Sequence, residues 1–244
     1  MTRLFVLLLS LTVLLSFSVC LAETTEPDNI LFRGIEWLEP ESNVEPAVSA
    51  IDGIKPSSYR HLEEGARIDG WYRQWENMYA DDNLENGGVM IRYQNAAVAG
   101  YNADLTLSFM YPIESGKINY NTASAQFYKA QYSITDIEDY ESAYADIVNK
   151  LSQLYGNPQN KSFFNSIADR NSPEGSVWTA ADGSVVWAAM FYNTYSKKTD
   201  TLWITYAAAN TEDMFAALEA QMLKEASDAE AIARDENANN FDGL

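Results

Sequence analysis

The feature that most narrows the fold is a two-residue alternation between residues 89 and 134, broken only by connections too short to hold a helix. Val89, Ile91 and Tyr93 alternate with Met90, Arg92 and Gln94, as on a half-buried strand. Ala99-Gly100-Tyr101 leads into Leu105, Leu107 and Phe109, which alternate with Thr106, Ser108 and Met110. Pro112 to Gly116 reads as a turn, and Gln126 to Ile134 as a further strand carrying Phe127 and Tyr132. Strands joined this closely run antiparallel, because a parallel pair needs a crossover of a dozen or more residues.

At Asp136 the period changes. Tyr140, Tyr144, Ile147, Val148, Leu151 and Leu154 form one stripe at helical spacing. Asp136, Glu138, Asp139 and Glu141 crowd the first turns, where the helix dipole favours negative charge. Tyr155-Gly156-Asn157-Pro158 supplies glycine and then proline, the order of a helix end. Val177-Trp178-Thr179 and Val185-Val186-Trp187 flank Ala181-Asp182-Gly183 as a hairpin, and Leu202 to Tyr206 makes another strand. Asn210 or Thr211 caps a last helix, with Glu212 and Asp213 in its first turn, docked by Met214, Phe215, Leu218 and Met222.

Nearer the start, Ile30 to Trp37 is a short apolar run closed by Gly34. After it, Glu39, Pro40, Glu41 and Ser42 look like a helix start, with Val44, Ala47, Val48 and Ile51 at helical spacing. Pro46 fits only a first turn, so the helix is expected to be short and to begin near Val44. Ile54-Lys55-Pro56-Ser57-Ser58 reads as turn material within an aromatic-rich insertion over about 52–88. Beyond Lys224 the chain is mostly Ala, Asp, Glu and Asn, and loss of order is expected there. The expected fold is α+β, an antiparallel sheet packed against helices in two related helix-plus-strands units. Their bounds are 23–135 and 136–224, with an acidic tail at 225–244.

The chain opens on Met1-Thr2-Arg3, an apolar stretch from Leu4 to Val19, and Cys20-Leu21-Ala22. That is the three-part pattern of a secretory signal peptide over 1–22, with Glu23 as the mature N-terminus. An uncleaved anchor is the alternative, since Leu4 to Ala22 is nearly long enough to span a bilayer. Val19 before Cys20 speaks against lipidation. Cleavage would remove the single cysteine and leave a mature chain without a disulfide or thiolate site, held by its core alone. The expected location is secreted or cell envelope, with no membrane insertion after cleavage.

A formal net charge of −19 argues against nucleic acid, whose phosphates need clustered Lys and Arg, and against docking on anionic lipid.

The Ile-Leu-Phe-Arg-Gly-Ile-x-Trp start at Ile30 to Trp37, the Tyr-Gly-x-Pro helix end at Tyr155 to Pro158 and the Trp-x-x-x-Asp-Gly-Ser hairpin at Trp178 to Ser184 go together. With them the chain resembles a group of uncharacterised exported bacterial proteins. The order of a helix followed by antiparallel strands is distantly similar to SmpA/OmlA-type lipoproteins and to the tandem unit of β-lactamase inhibitor protein. The first unit lacks their Gly-x-Pro helix end. The resemblance implies protein binding rather than catalysis, by fold analogy alone.

Chemistry-bearing patterns are few. His61 is the single histidine, and neither Glu63 nor Glu64 is spaced to orient it as a base, so a surface role is expected. A histidine-based metal site lacks partners, leaving only an all-oxygen site. The acidic loop Asp81 to Gly87 fails as a calcium loop, with Asn86 at the glycine position and Arg92 where a bidentate glutamate belongs. Paired carboxylates for glycoside hydrolysis are hard to single out in so acidic a chain. Asn160-Lys161-Ser162 is a glycosylation sequon that matters only in a host that uses it. No nucleophile elbow, Walker loop or dinucleotide fingerprint is present. Trp71, Trp75 and Tyr79, four residues apart, are the binding candidates, able to stack on a sugar ring or an apolar patch of a partner, although such spacing also suits a core. No catalytic residue, metal or cofactor is expected. The function expected is an exported non-catalytic module binding a protein or glycan. A carboxylate-dependent extracellular hydrolase and a purely structural envelope protein are the alternatives.

Overall fold

The computed structural model describes residues 27–52, 56–61, 88–162, 174–193 and 198–239. Helix α1 (Glu41–Asp52) is followed by strands β1 (Pro56–His61), β2 (Gly88–Val98) and β3 (Tyr101–Met110), a small hairpin of β4 (Ile113–Glu114) and β5 (Lys117–Ile118), and β6 (Gln126–Ile134). Helix α2 (Tyr140–Tyr155) is then followed by β7 (Gln159–Ser162), β8 (Glu174–Thr179), β9 (Val185–Asn193) and β10 (Lys198–Ala207), and α3 (Thr211–Asn239) closes the chain.

Eight strands form one sheet in the order β1-β2-β3-β6-β10-β9-β8-β7, every pair antiparallel. Read inward from either edge, the sheet is the same meander of four strands preceded by a helix. The two copies meet at β6 and β10, where Tyr132 pairs with Ile204 and Tyr206 with Ala130. The protein is therefore an α+β fold with an antiparallel sheet against helices.

The alternation read from the sequence sets the sheet's inner face. Val89, Ile91, Tyr93, Leu105, Leu107 and Phe109 are buried in one core with Val44 and Val48 of α1 and Ala143, Ile147 and Leu151 of α2. A smaller cluster of Val177, Val185, Trp187, Ala189 and Ala207 lies apart from it, with Trp203 packed against it.

Five local readings are corrected. Helix α1 begins at Glu41, within the start signal of Glu39 to Ser42 and not near Val44, and Pro46 lies inside it at an exposed position; its ring faces away from the core, where loss of one helical hydrogen bond is tolerated. Pro56 to Ser58, read as turn material, opens edge strand β1, a place that needs no N–H from a leading proline. Asp136 does not open α2: it stands in the preceding connection at φ 58, and Asp139 is the N-cap, accepting from the Ser142 N–H at 3.0 Å. Leu154, placed on the apolar stripe, is 70% exposed. Helix α3 continues past Lys224 to Asn239, where loss of order was expected. Among the described residues no helix is long and apolar enough to cross a membrane. Residues 1–22 lie outside the described residues.

Candidate functional site

The segment from Pro27 to Trp37 crosses the inner face as a strap, and hydrogen bonds fix both of its ends. Ala181 and Asp182, in the β8–β9 turn, donate their N–H groups to the carbonyls of Pro27 and Asp28 at 2.9 and 3.1 Å. The buried Ile30 N–H donates to Ser184 Oγ at 2.8 Å, and Trp37 Nε1 donates to the Ile30 carbonyl at 2.8 Å. Beyond the strap, Leu38 N–H bonds the Phe127 carbonyl at 2.8 Å, and Trp37 stacks on Phe127 at 5.0 Å. The strap thus starts on the second helix-plus-strands unit and ends on the first.

Its middle is a tight turn. Phe32 and Ile35 form a bridge, with Ile35 N–H on the Phe32 carbonyl at 2.9 Å. Arg33 and Gly34 sit between them at φ 55 and φ 75, the two positive values of a type I′ turn. Gly34 adopts this freely. Arg33 does so at a cost on the order of 1 kcal/mol, and the turn delivers its guanidinium into a cleft.

That cleft has a volume of about 300 Å³ and is lined by Leu31, Phe32, Arg33, Gly34, Val98, Tyr132, Tyr155 and Tyr206. It opens over the seam between β6 and β10, with the end of α2 on one side. Arg33 Nε donates to Tyr132 Oη at 2.8 Å and an Nη donates to the Ala97 carbonyl at 3.4 Å. The guanidinium carbon lies 5.5 Å from the Phe32 ring centre and 5.6 Å from that of Tyr132, close enough for cation–π attraction. Phe32 in turn packs edge-on against Tyr206 at 5.7 Å.

The phenols are held neutral. Burial, the largest cause, pushes Tyr206 well above the ordinary phenol value; Tyr155 and Tyr132 nearby push the same way, and Arg33 opposes them. Burial also raises Tyr155. Tyr155 and Tyr206 share a hydrogen bond, which raises Tyr206 further and opposes the rise at Tyr155. The cleft therefore offers a positive charge, hydroxyl donors and aromatic walls. Its described lining contains no carboxylate or imidazole that could act as a general base.

A second cleft of about 680 Å³ lies between the β2–β3 turn and the β6–α2 connection and gathers Asp104, Asp136 and Glu138. It is the place where a carboxylate pair for hydrolysis would be sought, but Asp104 is engaged in an ion pair with Arg92. Among the described residues no group of three or more His, Cys, Asp or Glu is placed to hold a metal ion.

Trp71, Trp75 and Tyr79 lie outside the described residues, as does the Asp81 to Gly87 loop. His61 ends β1 in register with Val89, and Asn160 to Ser162 belong to β7. What inspection of the sequence missed is that its three motifs converge. The first supplies the strap and Arg33, the second supplies Tyr155, and the third supplies Ser184 and Trp178, whose Nε1 donates to the Gly156 carbonyl at 2.9 Å. Tyr132 and Tyr206 carried no signal beyond strand alternation. No protein-family model matches the chain, and no curated protein or solved structure matches it.

Proposed function

We propose that the protein is an exported, non-catalytic module that binds a protein or glycan partner, and that it does so through the cleft headed by Arg33. The observation that carries this reading is the composition of the cleft: a guanidinium and neutral phenols against aromatic walls, a set that recognises and orients but does not transfer protons at neutral pH. The signal-peptide pattern at 1–22 supports export. The anchoring of the strap to both units supports a preformed site, since little ordering entropy is then lost on binding.

The test is capture from the native extracellular medium by the tagged chain, beside Tyr155→Phe and Arg33→Gln variants matched for thermal stability. The reading expects a partner retained by the parent chain and lost or weakened with both variants. Capture that is indifferent to both substitutions would remove the cleft from the function. Turnover of a cell-surface polymer that disappears on Asp136→Asn or Glu138→Gln would favour the hydrolase instead.

A further inference from the structure

One wall of the Arg33 cleft is the tip of the β2–β3 hairpin, and how that tip is held bears on the reading that this cleft is the binding site. We propose that Lys150 and Asp146 of α2 form a salt-sensitive latch on the tip, and that the latch controls the cleft by fixing Val98 in its wall.

Three observations carry it. The first is that the tip is set off from the sheet beneath it. The β2–β3 register slips between Tyr93 and Ala96, and Asn95 stands there at φ 60. Beyond this bulge only the pairs Ala96–Ala103, Ala97–Asn102 and Val98–Tyr101 hold the tip. Ala99 and Gly100 close it at φ 52 and φ 91, a conformation strained for the alanine. A short ladder past a bulge opens more readily than the strands below it. The second is what closes the tip from outside. Lys150 Nζ donates to the Ala99 carbonyl at 2.8 Å and to Asp146 Oδ2 at 2.7 Å. Tyr101 Oη donates to the same carboxylate oxygen at 3.0 Å, and the ammonium lies 5.8 Å from the Tyr101 ring centre. One ion pair thus grips both the turn and the residue after it. Its side chains are 46% and 38% exposed, so dissolved salt screens them. The third is what the tip builds. Val98 lines the cleft and the Ala97 carbonyl meets Arg33, while Tyr155, another lining residue, ends the helix that carries Lys150. The latch therefore ties the Val98 wall to the Tyr155 wall. The matching tip of the second unit, between β8 and β9, is fastened differently: the Ala181 and Asp182 N–H groups meet strap carbonyls, bonds between uncharged groups that salt leaves alone.

Amide hydrogen exchange of the full chain is measured in about 0.1 M and about 1 M sodium chloride, between which the Debye length falls from about 10 Å to about 3 Å. The parent chain and Lys150→Met are compared, and the Val98 methyl signals of both are followed by NMR. In the parent, exchange over Ala97 to Tyr101 should quicken by about fivefold in high salt, the size expected for one exposed charge-assisted contact. Exchange over Ala180 to Ser184 should stay as it was. Lys150→Met should show the faster tip exchange already in low salt and no further response to salt, and its Val98 methyl signals should move. An unchanged β8–β9 tip in the same variant shows that the fold is intact. Tip exchange indifferent to salt and to Lys150→Met, or equal quickening at both tips, would overturn the latch. A loosened tip with Val98 signals as in the parent would overturn its control of the cleft. Neither measurement uses a ligand, so the capture experiment decides the binding reading separately.

Discussion

Replacing Ser184 with alanine tests whether the strap is held as the geometry says. Ser184 is fully buried and its Oγ is the acceptor for the buried Ile30 N–H at 2.8 Å. The same hydroxyl donates to Asp182 at 2.6 Å, but Asp182 is exposed and water can replace that bond. The cost therefore falls on one amide left buried without an acceptor, about 1–3 kcal/mol. For a chain of this size a loss of about 2 kcal/mol lowers Tm by about 4–8 °C. The assay pairs thermal unfolding by circular dichroism with amide hydrogen exchange. Ile30 should exchange much faster in Ser184→Ala, and Ile204 on the central strand β10 should change only by the global loss of stability. Because Arg33 lies three residues along the strap, ligand binding at the cleft should weaken as well. An Ile30 amide that stays as protected as in the parent chain, with Tm unchanged, would refute the claim that this bond locks the strap.

Phe215 is fully buried and meets Tyr128 edge-on at 5.2 Å, so Phe215→Ala should cost about 3–5 kcal/mol and release α3, read by denaturant melts and by loss of protection across 211–222. Trp37→Phe removes the donor to the Ile30 carbonyl while keeping a ring on Phe127, and a loss of about 1 kcal/mol is expected by the same melts. Gly88→Ala would drive its Cβ into the Phe109 carbonyl oxygen; β2 and β3 must then separate, which should appear as weakened protection of both strands. Spectrophotometric titration of the tyrosines should show Tyr93 ionising near pH 12, held up by burial, and Tyr206 well above 10. Both phenols are raised in the fold, so their contribution is complete below pH 10 and is lost as pH climbs through the folded values, giving alkaline unfolding that Tyr206→Phe should postpone.

The sheet was legible in the sequence where one face is buried and the other wet. Val89, Ile91 and Tyr93 point inward and Arg92 and Gln94 outward, and a two-residue period records that directly. The end of α2 was legible because Gly156 adopts φ 83, which few other residues tolerate. The start of α2 was not, because several acidic residues competed for the cap and only the Asp139–Ser142 bond distinguishes one. Edge strand β1 was hidden by Pro56 and the polar Ser57 and Ser58, since an edge strand needs neither strong alternation nor a complete set of N–H donors. The cleft was the least legible feature. Arg33, Tyr132, Tyr155 and Tyr206 stand far apart in sequence, and what gathers them is the pairing of β6 with β10 and a turn whose first central residue has positive φ. Neither is written in any local pattern.

The central claim is that the working surface is the cleft over the β6–β10 seam. Hydrogen–deuterium exchange of the full chain, alone and bound to the partner it captures, tests this most directly. The account predicts new protection concentrated at Leu31 to Gly34, around Val98 and at the end of α2 near Tyr155. Protection confined to the acidic cleft at Asp104, Asp136 and Glu138, with the strap unchanged, would contradict it.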